Sequence, residues 1–512
     1  MLESSVVEVA SPQERFAALE ATLLANRHLV VVSNRGPVTF EFDIDGTPKY
    51  QRGTGGLVTA LLGLLHHVDA TWIACARTEA DAVWKEGDVT FGENQNSLRV
   101  IFLNPDPPVY EGYYNVIANP LLWFLQHSLW DLSRHPIIDR STWDAWEGGY
   151  QQMNRLFAEA ITDRVAVKGH RQIIMLQDYH LYLAARYVRD RLSPRRMPTM
   201  MHFTHIPWPG PEYWRILPPG MRGSILDGMC AVDLLGFQTR EDGLNFLRSC
   251  EAYLPEAHVS YRRGWVWHRN HVSYVRDFPI SIDVSSVKGI SQDDAISEYY
   301  KELKDIVGDR QLILRIDRIE PSKNITRGFI AFEEMLQFHP EHIGKVVFLA
   351  MLVPSRMEVS EYQDYQDSLM AYAGRVNSRF GNSEWEPVRI LIGDNYPRAI
   401  AALKLYDALL VNSLADGMNL VAKEGPVVNE RNGVLVLSER TGARQQLGIG
   451  AIVISPCDIY ATSEALHQAL VMPVEEREER ASRMRWVIER EDIVYWISHQ
   501  LETLQELRLL KK

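Results

Sequence analysis

Cysteine is scarce. The chain has four in 512 residues (Cys75, Cys230, Cys250 and Cys457), widely scattered, with no CxxC pair and no Cys/His cluster. This spacing excludes a disulfide framework and structural zinc, and it suits a reducing, cytoplasmic compartment. A long Lys/Arg run is also lacking, and the formal net charge is −12, so the basic face that nucleic acid requires is missing. No apolar stretch reaches membrane-spanning length. The N-terminus is acidic and mixed, unlike a basic segment leading into an apolar signal core. Neither H-E-x-x-H nor a nucleophile elbow or Ser-His-Asp arrangement stands out, and no metal-ligand cluster is evident, which argues against a metal-dependent mechanism.

What is present is ordinary for a globular protein, with 46% hydrophobic and 23% charged residues, and the length allows two or three full cores. Residues 1–28 read as a peripheral N-terminal helix. Strands are expected at Leu29–Ser33, Trp72–Cys75, Val100–Leu103, Ile173–Leu176, Met200–Phe203 and Leu234–Phe237, with helical patterns such as 141–167 and 181–192 between several of them. A hairpin is expected around 38–46 and more β-hairpin material over 258–282. The alternation restarts with strands at Leu312–Ile316, Val346–Leu349, Val388–Ile392, Ala408–Val411 and Ile452–Ile454, followed by a helical tail. Strand-helix alternation gives parallel sheets covered on both faces. The expected architecture is α/β, two doubly wound Rossmann-like domains facing across a cleft. Their bounds are 29–283 and 284–480, with helices of 481–512 packing back toward the first.

Such sheets bind ligands beyond the carboxyl ends of their strands. Asn34-Arg35, Asp178-Tyr179-His180 and His205-Ile206-Pro207 all follow expected strands, as does Arg318-Ile-Glu-Pro-Ser-Lys323. Arg318 and Lys323 on one loop suit neutralisation of a pyrophosphate leaving group. The organising stretch is Asp416-Gly-Met-Asn-Leu-Val-Ala-Lys-Glu424, where a strand, a sharp turn at Gly417 and a helix start present backbone N–H groups to an anion. Asp416 and Glu424 are spaced to reach a polyhydroxylated ligand from two sides. From spacing alone a capping Asp416 and a solvated Glu424 fit equally well. Arg52-Gly-Thr-Gly-Gly56-Leu57 is a weaker Gly-rich loop suited to phosphate or to a plain turn. Arg35 and Arg356 together would clamp a phosphate, whereas each alone suits an ordinary ion pair. Tyr114 and Trp123 lie in an aromatic-rich helix whose default is core packing.

Taken together, the 416–424 string, Ser33-Asn-Arg35, Gly55-Gly-Leu57, Tyr114-Asn…Leu122-Trp123, Gln177-Asp-Tyr-His180, His205-Ile-Pro-Trp-Pro209, Leu235-Gly-Phe237, Arg318, Lys323 and Pro354-Ser-Arg356 resemble the trehalose-6-phosphate synthases. These are retaining sugar-nucleotide glycosyltransferases of the GT-B fold, and the resemblance runs from about residue 29 to 500. It implies a nucleoside-diphosphate glucose donor, glucose 6-phosphate as acceptor and no cofactor or metal, with no nucleic-acid or membrane partner and a homo-oligomer admitted. Arg318 and Lys323 would bind the donor diphosphate and Glu424 the ribose. Backbone N–H groups of Asn419, Leu420 and Val421, with Gly56 opposite, would hold phosphate, and Asp416 and His205 the donor sugar. Arg35, Tyr114, Trp123, Asp178 and Arg356 would line the acceptor site, the two arginines on its phosphate. The departing phosphate, not a protein base, would deprotonate the acceptor.

The chain departs from the family where Gly-Trp-Ser-Gly or Gly-Trp-Pro-Gly is usual and Ala74-Cys-Ala-Arg77 stands instead. An aromatic wall of the acceptor pocket is thereby replaced. Tyr213-Trp-Arg-Ile-Leu-Pro218 and Val427-Val-Asn-Glu-Arg431 are similar to the validamycin-type pseudo-glycosyltransferases. The alternatives left open are a different phosphorylated acceptor (glycerol 3-phosphate or a cyclitol phosphate) and a non-catalytic sugar-phosphate sensor. Intact Arg318, Lys323, Asp416 and Glu424 count against the sensor. The base of the donor (uridine, guanosine or adenosine) is not encoded in any of these motifs.

Overall fold

A computed structural model describes residues 27–43, 45–52, 70–91, 96–168, 171–355 and 360–509. Residues 1–26 of the expected peripheral helix, the Gly-rich loop with Gly56 and the acceptor candidate Arg356 lie outside the described residues, while His28, expected at the end of that helix, opens a strand instead. The chain divides into two compact units: Met1–Gln126 with Trp130–Phe278 and Ile493–Lys512, and His127–Leu129 with Pro279–Asp492.

The first unit holds a ten-stranded sheet. Its order is His258–Ser260, Trp265–His268, His271–Asp277, Leu234–Phe237, Thr199–Phe203, Gln172–Gln177, His28–Val32, Ala70–Cys75, Asn96–Leu103, Glu86–Phe91. The seven strands from His271–Asp277 to Asn96–Leu103 run parallel, and the flanking ones are antiparallel. The central strands are buried along their whole length, which is why they read as unbroken apolar runs without alternation. The edge strand Glu86–Phe91 is an addition to the sequence expectation. Its sequence, EGDVTF, carries too few apolar residues to signal a strand. The expected hairpin is present as Val38–Phe42 paired with Pro48–Arg52.

The second unit is an all-parallel sheet ordered Val388–Ile392, Val346–Val353, Gln311–Arg318, Ala408–Val411, Val434–Ser438, Ile452–Ile454. Strand Val434–Ser438, which the sequence reading passed over, is fully buried between its neighbours. The helix Ile325–Phe338 shows why the layers hold: Ile325, Phe329, Phe332 and Leu336 recur at helical spacing and are all buried. Phe329 and Phe332 meet Phe348 of the sheet edge-on at 5.4 and 5.3 Å.

The units exchange chain at Phe278/Pro279 and at Asp492/Ile493, not at 283/284 and 480/481. The physical reason lies in two anchors. Lys423 Nζ donates to the Ile280 carbonyl at 2.6 Å, holding residues after 279 to the second unit. Trp496 Nε1 donates to the Phe278 carbonyl at 3.1 Å and its ring meets Phe203 at 5.2 Å, holding the last helix, Ile493–Glu506, to the first. The preceding helix, Val474–Arg490, stays with the second unit through Arg477 and Arg485, which donate to Asn432. Among the described residues no helix is long and apolar enough to cross a membrane.

Candidate active site

In both sheets chain order reverses at one point. In the second unit it reverses between Gln311–Arg318 and Ala408–Val411, and in the first between His28–Val32 and Gln172–Gln177. Connections leave such a pair in opposite directions, so a crevice opens beyond their carboxyl ends. Asn34-Arg35, Asp178-Tyr179-His180, the Arg318–Lys323 loop and the 416–424 string leave these strands, and His205 leaves the next strand, Thr199–Phe203.

In the second unit, Arg318 is the last residue of its strand and Lys323 closes the short 3-10 turn Pro321–Lys323. Hydrogen bonds sew this loop to the segment after the neighbouring strand. Leu414 N donates to the Ser322 carbonyl (2.8 Å), Asn324 Nδ2 to the Asn412 carbonyl (2.9 Å), and Asn412 Nδ2 back to the Asn324 carbonyl (3.2 Å). Fully buried Arg315 pairs with Asp317 at 2.7 Å and donates to the Lys323 carbonyl at 3.0 Å, fixing the loop from beneath. The result brings Lys323 Nζ onto Asp416 Oδ2, a pair whose side chains are only 13% and 14% exposed. Burial opposes the Asp416 charge, but Lys323, with lesser help from His127 and Asn419, outweighs it and holds the carboxyl below its ordinary range. Burial likewise opposes the Lys323 charge, and Asp416 and Asp317 overcome it, raising that group. Both therefore stay ionised.

Asp416 is not a helix cap. Besides Lys323 it accepts from Asn419 Nδ2 (3.2 Å) and Ser413 Oγ (3.3 Å), while the helix Val421–Val428 is entered through Leu420. Nor does Gly417 supply the sharp turn. The left-handed residue is Asn419, at φ 74°, whose Oδ1 accepts from the Ala422 amide at 3.1 Å. The first-turn amides after it have no intrahelical acceptor, which leaves Leu420 and Val421 suited to an anion. The loop is strapped from the other side: Gly442 N donates to the Asp416 carbonyl and Ala443 N to the Met418 carbonyl, both at 3.0 Å. That approach demands glycine, because a Cβ on Gly442 would lie 1.8 Å from the Gly417 oxygen.

Glu424 is half-buried, not solvated, and accepts from the Tyr396 hydroxyl at 3.0 Å, while burial raises its carboxyl above the usual range. Arg318 remains 54% exposed and is steered by buried Glu320 at 3.1 Å, which also accepts from Ser355 Oγ. Glu320 and Tyr396 were missed from sequence. Glu320 sits inside the Arg318–Lys323 string between the two cations that define it, whereas Tyr396 is 28 positions from the carboxylate it meets. Lys423 was also unassigned. Burial pushes its amine down to about 7.

In the first unit, Arg35 is exposed just past its strand. Trp72 Nε1 donates to Ser33 Oγ (2.8 Å), which in turn donates to the Arg35 carbonyl (2.5 Å). Asn34 Nδ2 reaches the Tyr110 hydroxyl at 3.5 Å, Tyr110 stacks on Tyr114 at 5.4 Å, and Tyr114 stacks on His180 at 5.9 Å. A continuous aromatic row thus links the two strand ends, and Tyr110 is a member the sequence reading did not name. Trp123 is 3% exposed and meets Phe124 edge-on, as a core residue does. Asp178 has φ 69°, a left-handed value that a non-glycine residue adopts only when held. Its amide donates to the Phe203 carbonyl (2.7 Å) and its Oδ1 accepts from the His205 amide (3.1 Å). His205 Nε2 lies 2.9 Å from Gln177 Oε1, and burial drives the imidazole down to about 3, so it is a neutral hydrogen-bonding group. Cys75, in place of the family's Trp, is fully buried at its strand end, and Arg77 beyond it is exposed.

The absence of a metal-ligand cluster in the sequence does not carry over to the fold. His339, Glu341 and His467, the last 128 positions after the first, bring ligand atoms within 4.8 Å of one another, away from the residues above.

The model of glycosyltransferase family 20 matches residues 27–506. The UDP-forming alpha,alpha-trehalose-phosphate synthase of Schizosaccharomyces pombe is 31% identical over 489 residues, 94% of this chain and 91% of that one. The same-named protein of Pichia angusta is 34% identical over 92% of this chain and 97% of its own. A Burkholderia xenovorans alpha,alpha-trehalose-phosphate synthase (UDP-forming), solved with glucose-6-phosphate, superposes with a TM-score of 0.78 at 26% identity, covering 94% of this chain and 100% of that one. An E. coli structure described as trehalose-6-phosphate bound with UDP-2-fluoro glucose gives 0.80 at 28% identity over 94% and 99%. With two doubly wound units, strand-end motifs at both reversal points and matches of this extent, the chain is a GT-B enzyme belonging to glycosyltransferase family 20.

Proposed function

We infer that this chain transfers glucose from UDP-glucose to glucose 6-phosphate with retention, forming alpha,alpha-trehalose 6-phosphate and UDP. The observation that carries the reading is the cationic pair Arg318 and Lys323, with Asp416 held on Lys323, at the strand reversal of the second unit. In the reaction the bond from glucosyl C1 to the diphosphate oxygen breaks. A bond from C1 to the anomeric oxygen of glucose 6-phosphate forms, and the acceptor proton passes to the departing phosphate. Negative charge grows on the diphosphate as C1 leaves, so the protein's part is fixed positive charge and fixed position. Arg318 and Lys323 take the diphosphate charge, with the amides of Asn419, Leu420 and Val421 as further donors. Glu424, oriented by Tyr396, accepts from the ribose hydroxyls. Asp416 accepts from the glucosyl hydroxyls, its ionised state secured by Lys323.

On the acceptor side, Arg35 meets the phosphate of glucose 6-phosphate, while Asp178, Tyr114 and neutral His205 offer hydrogen-bonding and stacking groups. The low value for His205 removes it as a proton carrier, in keeping with proton transfer to phosphate. Two side-chain cations on the diphosphate do the work that a divalent metal would do, so transfer proceeds without one. Uridine as the base rests on the curated relatives, which are named UDP-forming.

The test is diphosphate release from UDP-, GDP- and ADP-glucose with and without glucose 6-phosphate, in EDTA, with the product identified by mass. UDP release that requires glucose 6-phosphate and yields a phosphorylated disaccharide is the expected result. Donor binding without acceptor-dependent release would overturn it and direct attention to Cys75 and other phosphorylated polyols.

A further inference from the structure

In the second unit, helix Ile325–Phe338 ends at His339, and the short turn Pro340–His342 follows. Helix Ile459–Val471 packs alongside and presents Glu464 and His467, three positions apart and so on one face. The rings of His339 and His467 stack in parallel with centroids 3.7 Å apart and planes 7° from coplanar. Glu341 Oε1 lies 3.6 Å from His339 Nδ1 and 4.0 Å from His467 Nδ1. The other nitrogen of His339, Nε2, is 2.8 Å from Glu464 Oε1. His342 Nε2 is 2.9 Å from His467 Nδ1. His339 and His467 are 20% and 24% exposed and Glu341 54%, so solvent reaches the cluster.

We propose that His339, Glu341 and His467 form a binding site for a divalent transition-metal ion, with zinc the natural occupant, that braces these two helices. Two imidazole nitrogens and a carboxylate are a ligand set for Zn²⁺ or Co²⁺, with a fourth position for water, and metal binding at His467 Nδ1 would displace its contact with His342. At metal–ligand distances of about 2.0–2.1 Å, tetrahedral ligand atoms sit about 3.3 Å apart, close to the observed 3.6 and 4.0 Å spacings to Glu341, and binding would open the parallel stack so that the two rings tilt toward the shared ion. The Glu464 contact adds an independent reason. A metal-bound histidine typically donates its second ring N–H to a carboxylate, which fixes the tautomer and turns the free lone pair toward the ion. Here Glu464 takes Nε2–H of His339 and leaves Nδ1 facing Glu341. Glu464 is thus a positioning residue. The site is at the opposite end of helix Ile325–Phe338 from Lys323, about 20 Å along a 14-residue helix, and is independent of the transfer chemistry.

The experiment uses the full chain stripped with chelator, titrated with Zn²⁺ by calorimetry and with Co²⁺ by visible absorption, with melting temperature in EDTA as the fold control. One equivalent of Zn²⁺, a tetrahedral Co²⁺ spectrum and a metal-dependent rise in melting temperature are expected. His339→Ala and His467→Ala should abolish the Co²⁺ spectrum, and Glu464→Gln should weaken binding about ten- to a hundredfold. If a histidine variant fails the fold control, exposed Glu341→Gln carries the same test. Absence of stoichiometric binding, or equal affinity in wild type and a correctly folded variant, would overturn the proposal.

Discussion

Lys323 and Asp416 are 93 positions apart and meet because two neighbouring strands release their loops side by side. A largely buried pair of this kind keeps both groups charged in the resting protein and ready for a charged ligand. Arg35 sits at the other reversal point and is exposed, as a phosphate-seeking side chain must be. Arg35→Ala is therefore expected to raise the KM for glucose 6-phosphate tenfold or more, by about 1.4 kcal/mol or above, and to leave the KM for UDP-glucose nearly unchanged. Steady-state kinetics with each substrate varied in turn checks this. Buried His202, beside His205, gives a second prediction. Burial lowers its imidazole from 6.5 to about 3, so the unfolded chain binds the extra proton between those values. The stability it contributes is complete above about pH 6.5 and is lost as pH falls toward 3. Denaturant unfolding from pH 6 to 4 should show stability falling with acid, and His202→Gln should reduce that slope by about 1.4 kcal/mol per pH unit.

At the scale of elements, the loop from Asp416 to Leu420 is determined from two sides. Asn419 takes the left-handed turn, and the Gly442–Ala443 backbone straps Asp416 and Met418. Neither feature requires the loop's own glycine to bend, so the string alone led to the wrong turning residue. Gly442→Ala must push the Gly417 peptide away. The expected outcome is a stability loss of about 1–3 kcal/mol together with weaker UDP binding, read by denaturant unfolding and calorimetry. A variant with lost stability but unaltered UDP affinity would show that the strap does not shape the donor loop. Legibility at this scale followed burial and contiguity. Strands such as Val346–Val353, buried along nearly their whole length, declared themselves as apolar runs, whereas edge strand Glu86–Phe91 did not. Val434–Ser438, VLVLS and fully buried, carries the same apolar signal as those strands.

For the whole molecule, the informative feature is that both sheets reverse where the polar motifs emerge. Sequence alone could place those motifs past strands, since each strand and its following loop are contiguous. Strand order comes from pairing between distant segments and had to be seen. The same limit explains Glu320 against Arg318, Tyr396 against Glu424 and the His339–Glu341–His467 cluster. Each is a contact whose partners either break a familiar string or lie far apart in the chain. The domain boundaries moved by five and twelve residues (283 against 278, 480 against 492) because they depend on two tertiary hydrogen bonds, from Lys423 and Trp496, that no local composition announces. The account's central claim is that the strand reversal of the second unit supplies the charge that lets the diphosphate leave. The measurement that tests it most directly is the kcat of glucose 6-phosphate-dependent UDP release by Arg318→Ala, with folding verified. The account predicts a fall of about 10²–10³, equivalent to about 3–4 kcal/mol of transition-state stabilisation. Turnover close to that of the unaltered chain would contradict it.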